Sequence, residues 1–117
     1  MQKISGLGGV FFRAQNPEQL SKWYEENFGI TSDVTGTPWQ QEAGMTVFAP
    51  FSKDNDYFPT TQSIMFNFRV NDLETFLKQL QKNDVKIDEK RQNESYGKFA
   101  WVYDPEGNKI ELWEPIQ

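Results

Sequence analysis

The chain has 117 residues, of which 15% are aromatic and 37% hydrophobic, enough large side chains for one packed core and too many for a disordered segment. A net charge of −5 with scattered basic residues excludes the usual nucleic-acid footprint and an anionic membrane surface as partners. The absence of cysteine and histidine removes disulfides, thiol nucleophiles, the commonest metal ligand and the usual neutral-pH base.

In chain order, the opening "MQKISGLGGVFF" lacks the charged start and apolar core of a signal peptide, and no later run approaches membrane-spanning length. The expectation is a cytoplasmic protein. "GLGG" at 6–9 precedes a strand-like run over about 7–14, without the helix and lysine of a phosphate loop. "NPEQLSKWYEENFG" predicts a helix: Asn16 caps it, Pro17 opens it, and Leu20, Trp23, Tyr24 and Phe28 recur at helical spacing before Gly29. Strand-like runs follow near 31–36, 38–42 and 44–49. "PFSKDNDYFPTT" at 50–61 reads as a turn-rich connection within one core. A strand over about 62–70 leads to a second helix, "DLETFLKQLQKND", with Asp72 as cap and Leu73, Phe76, Leu77 and Leu80 as its stripe. Strands near 85–92, 98–103 and 109–114 complete the chain, the last two joined by the turn "DPEGN".

The order strand, helix, three strands thus occurs twice, in modules of about 4–50 and 60–115 within a single α+β domain spanning 1–117. Internal similarity supports a duplication. "FRAQNPEQL" (12–20) overlays "FRVNDLETF" (68–76), aligning the caps Asn16 and Asp72, and "MTVFAP" (45–50) overlays "IELWEP" (110–115).

Three segments carry a resemblance: the aromatic opening "GGVFFRAQNPEQLSKWYEENFGI", the middle "FNFRVNDLETFLKQL" and the ending "DPEGNKIELWEP". Together they make the chain similar to the vicinal oxygen chelate superfamily, also called the glyoxalase/bleomycin resistance/dioxygenase family. The resemblance implies duplicated βαβββ modules forming curved mixed sheets around a cleft. It also implies four equivalent ligand points in metal-using members, which fall here on Gly9, Thr46, Met65 and Glu111. Only Glu111 is a strong ligand for a hard ion; Thr46 offers a neutral hydroxyl.

From the strand pattern alone, Glu111 is either a solvated residue or one held by a nearby lysine such as Lys109, or it is directed into a cavity. The resemblance implies the cleft. Phe11 and Asn67 share strand parity with Gly9 and Met65, and so face the same way. Trp39, Gln41 and Trp101 on other strands either fill the core or complete an aromatic box with polar fingers, while Trp113 reads as core. The candidate ligand-binding set is Phe11, Trp39, Gln41, Thr46, Met65, Asn67, Trp101 and Glu111. The catalytic set is open, with Glu111 as its one candidate acid or base. Arg13 and Arg69, repeated near the helix starts, suit a structural pairing better than an anion site. Tyr96 belongs on a hairpin over the cleft.

The expected function is metal-independent binding and sequestration of a small, partly aromatic or hydrophobic molecule, as in bleomycin-resistance-type members. A homodimer is expected and no cofactor, with weak binding of a divalent metal at Glu111 left open. The alternatives are a lyase/isomerase or dioxygenase-like enzyme using Glu111, and a structural dimer with a vestigial cleft.

Overall fold

A computed structural model describes residues 1–31 and 38–116. Helix α1 spans Pro17–Phe28. Its cap, Asn16, accepts from the Gln19 N–H through its side chain, and Gly29 ends the helix in the left-handed region at φ 71°. Leu20 and Tyr24 are its buried residues. Strand β1 is Asn67–Arg69, helix α2 is Leu73–Lys82, and strands β2 (Lys86–Glu94), β3 (Gly97–Tyr103) and β4 (Lys109–Pro115) follow. Asp72 caps α2 by accepting from Thr75 N at 3.1 Å and from Thr75 Oγ1 at 2.9 Å.

The strands form one open mixed sheet in the order β1-β4-β3-β2. β1 runs parallel to β4, and the other two pairs are antiparallel, with a register shift between Ile87 and Arg91 in β2. The helix α2 provides the crossover that parallel pairing between β1 and a later strand requires. Alternation along the strands sends Phe68, Ala100, Val102, Ile110 and Leu112 to one face, where they pack with Leu20 and Tyr24 of α1 and Leu73, Leu77 and Leu80 of α2. An edge-to-face aromatic relay of Tyr24, Phe28 and Phe68 joins α1 to the sheet. The opposite face, carrying Asn67, Trp101, Glu111 and Trp113, is left for the site.

The second half therefore builds the expected βαβββ unit in full. The first half keeps its helix, but the strands expected over 7–14, 38–42 and 44–49 do not form. The expected strand near 31–36 falls on residues outside those described. Strands exist only as paired ladders, and these segments run without one, exposed along most of their length. They are held by side chains instead. Phe12 packs its ring on Phe66, and Arg69 donates to the carbonyls of Glu42 and Met45. That contact gives Arg69 the structural role favoured from the sequence.

Candidate functional site

Glu111 lies in the middle of β4, between β1 and β3, where Asn67 and Trp101 stand opposite it in register. All three side chains leave the sheet on the face away from the helices. Glu111 is 8% exposed and Trp101 only 1%. A carboxylate so placed needs partners, and it has two uncharged ones. Asn67 Nδ2 donates to Oε2 at 3.0 Å, and Tyr57 Oη donates to Oε1 at 2.6 Å.

Tyr57 comes from the 50–66 connection, which carries no helix or strand. Its path is fixed by a side-chain ladder. Gln62 donates to Lys109 O at 2.8 Å and accepts from Lys109 N at 2.9 Å, binding the connection to the start of β4 as a neighbouring strand would. Lys109 Nζ then donates to Tyr57 O at 2.9 Å. The same ammonium lies 5.8 Å from the Tyr57 ring centroid and 5.6 Å from that of Trp101, within cation–π range of both. The Tyr57 ring meets Trp101 edge to face at 6.0 Å. Burial first, then the hydrogen bond and charge of Glu111, hold the Tyr57 phenol well above its ordinary pKa, with the nearby Trp101 indole opposing the rise. The Trp101 indole N–H lies beside the Tyr57 hydroxyl without reaching good hydrogen-bond geometry, and it is the one buried side-chain polar atom left in that state among the described residues.

Above this cluster opens a hollow of about 900 Å³, with Glu111 and Asn67 at its floor and Phe51, Phe58, Phe99 and Trp113 among its walls. Phe99 and Trp113 are cross-strand neighbours whose rings lie within 4° of parallel, centroids 6.2 Å apart. Tyr96, in the turn between β2 and β3, stands at the rim, where the hairpin was expected to place it. A second hollow of about 720 Å³ lies between the 38–47 segment and β1, and Asn67 and Trp113 border both.

The sequence-derived candidates divide between these hollows. Met65, Asn67 and Glu111 line the first, with Trp101 buried behind Tyr57. Trp39, Gln41 and Thr46 line the second, with Asn67 shared. Phe11 borders neither and is 92% exposed. Trp113, read as core, is buried yet forms cavity wall. Tyr57 and the cation–π role of Lys109 were not foreseen. Tyr57 sits in a turn-rich stretch, and nothing local in "KDNDYFPTT" marks one aromatic as facing inward.

The four points equivalent to metal ligands do not fit a divalent ion. Thr46 lines a different hollow from Glu111, and Gly9 and Met65 have no hard donor side chain. Both Glu111 oxygens are already engaged by neutral donors. Among the described residues, no three Asp or Glu side chains converge on a point. What the arrangement can do is bind: it offers one carboxylate, one amide and one unpartnered indole N–H beneath an apolar, aromatic enclosure.

In the described residues no helix is long and apolar enough to cross a membrane. No curated protein matches the chain. Among solved structures, TnmS3, an antibiotic binding protein from Streptomyces sp. CB03234, is 24% identical, with 99% of this chain and 100% of that one covered and a TM-score of 0.65. An integron cassette protein from V. cholerae is 18% identical, covering 97% and 98% with a TM-score of 0.66. A superfamily member from Sphaerobacter thermophilus DSM 20745 is 15% identical, covering 95% and 98% with a TM-score of 0.60. These likenesses bear on the fold. The family model of the Glyoxalase/Bleomycin resistance protein/Dioxygenase superfamily matches residues 6–112, and with the sheet, the helices and the cleft face in place, the chain belongs to that superfamily.

Proposed function

We propose that this protein binds a small, partly aromatic or hydrophobic molecule in its cleft and holds it without chemical change or a metal ion. The observation that carries the reading is the state of Glu111: a buried carboxylate with both oxygens on uncharged donors, flooring an aromatic-walled hollow of about 900 Å³. That volume suits a drug-sized ligand. A general base needs a free oxygen aimed at substrate, and a metal ligand needs companions; Glu111 has neither arrangement. The likeness to TnmS3, itself an antibiotic binding protein, agrees with a sequestering role.

The reading includes a homodimer in the cytoplasm. Ile4, Leu7, Phe11, Met45, Val47 and Phe48 are exposed by 58–92% along the unpaired segments of the first half. So many large apolar side chains left exposed call for cover. A second copy is the natural occupant, because β1 is the edge strand of the sheet among the described residues, in a chain whose first half has strand-like sequence.

Native mass spectrometry on protein purified without added metal or chelator, repeated with a panel of divalent ions, tests the reading. The expected result is a dimer without stoichiometric metal, able to retain an organic adduct. One tightly held metal per chain would overturn it.

A further inference from the structure

We infer that Tyr57 is a built-in stand-in for the ligand, and that the molecule the cleft takes carries a phenolic hydroxyl on an aromatic ring. This rests on the small-molecule-binding reading and specifies the ligand's chemistry.

The argument starts from what Tyr57 does. Its hydroxyl donates to Glu111 at 2.6 Å, and its ring packs edge-on to Trp101 at 6.0 Å. These are the contacts a bound aryl alcohol would make with the same two side chains. Tyr57 is not part of the sheet. It is held by its N–H on Asn55 Oδ1 and by Lys109 Nζ on its carbonyl, so its withdrawal breaks no strand pairing.

The second observation is the Trp101 indole N–H, buried beside the phenol and without a partner. A buried donor left unpaired carries a free-energy cost that a ligand acceptor removes. Glu111 supplies an acceptor and Trp101 a donor. A phenol oxygen satisfies both, since a hydroxyl donates once and accepts. An ammonium could donate to Glu111 but could not accept from Trp101. A carboxylate or phosphate would bring negative charge against Glu111. The parallel rings of Phe99 and Trp113 extend the aromatic surface from this point, matching a fused ring system better than an alkyl chain.

Isothermal titration calorimetry on the full chain tests the inference, using 2-naphthol and 2-methoxynaphthalene as probes. The methyl ether keeps the ring and loses the donor. On wild-type protein 2-naphthol is expected to bind at least about tenfold more tightly, the scale of one hydrogen bond to a charged acceptor. Trp101→Phe should weaken both probes, because the hydroxyl and the ether oxygen can each accept from the indole N–H, and unchanged affinity for both would remove Trp101 from the site. Tyr57→Phe should tighten 2-naphthol binding several-fold, because the internal competitor loses its hold on Glu111. Equal affinity for the two probes would overturn the inference while leaving small-molecule binding intact. Weaker 2-naphthol binding by Tyr57→Phe would make Tyr57 a fixed wall and overturn the stand-in. No binding of either probe would remove the inference together with the reading beneath it. The two-probe comparison on wild-type protein needs no variant to fold.

Discussion

Asn67 and Glu111 face one another across the parallel β1–β4 pair, and the amide of Asn67 donates to the carboxylate at 3.0 Å. The pairing is specific in sign, for it puts a neutral donor where a second acid would repel. Asn67→Asp should lower stability by about 1 kcal/mol at pH 7, more than Asn67→Ala does, because a second carboxylate, itself exposed, would stand beside the buried one of Glu111. One of them would bind its proton more readily than in the unfolded chain. Stability should then recover as pH falls through that raised pKa. Urea unfolding of the two variants at pH 7 and pH 4.5 measures the difference, and an unchanged gap would count against the pairing.

Gly97 should not tolerate a side chain. Its φ is 152°, and a Cβ would stand 2.4 Å from Trp113 Nε1 and 2.7 Å from the Glu114 carbonyl oxygen. The latter is backbone of the paired strand and cannot swing aside. Gly97→Ala is expected to cost about 2 kcal/mol or more, read as a drop in the urea midpoint, and to displace Trp113 from the cavity wall.

Tyr24 ties α1 to the turn before β4. Its hydroxyl donates to buried Asp104 at 2.8 Å, while Asp104 also accepts from Asn108 and from two turn N–H groups. Tyr24→Phe should lose about 1–2 kcal/mol without moving the helix, since the other donors still satisfy Asp104. Thermal unfolding gives the loss, and near-ultraviolet circular dichroism checks that the aromatic packing persists.

Alkaline pH should weaken the fold through two phenols. Burial first, then Asp104, raises the pKa of Tyr24; burial first, then Glu111, raises that of Tyr57. A phenol in the unfolded chain ionises near 10.0, so above that pH the folded state holds more protons than the unfolded one. The stabilisation is complete below pH 10.0 and is lost as pH climbs toward the folded values. Urea unfolding between pH 8 and pH 11 should show this decline. Tyr24→Phe and Tyr57→Phe should each flatten it.

The second half was legible because its signals are local. The cap at Asp72, the stripe of Leu73, Leu77 and Leu80, and the Asp-Pro-Glu-Gly turn each act within a few residues. Glu111 was traceable to the cleft through the family resemblance, and parity then carried Asn67 to its side. The first half misled for a physical reason. Apolar and aromatic residues at 7–14 and 44–49 state a preference for strands, yet a strand needs a partner that its own sequence does not contain. Tyr57 was illegible for a related reason. Its place depends on Gln62 and Lys109 meeting across 47 residues, and no local pattern records such a meeting.

The parallel pairing of β1 with β4 has a consequence for biosynthesis. The strand at 67–69 is translated well before its neighbour at 109–115, so the growing chain carries an incomplete sheet until β4 has left the ribosome. Until then the Asn67 amide has no Glu111 to meet, and the exposed first half has no finished core beneath it. A nascent chain stalled before residue 109 should therefore be a client of ribosome-associated chaperones, and release from them should coincide with the arrival of β4.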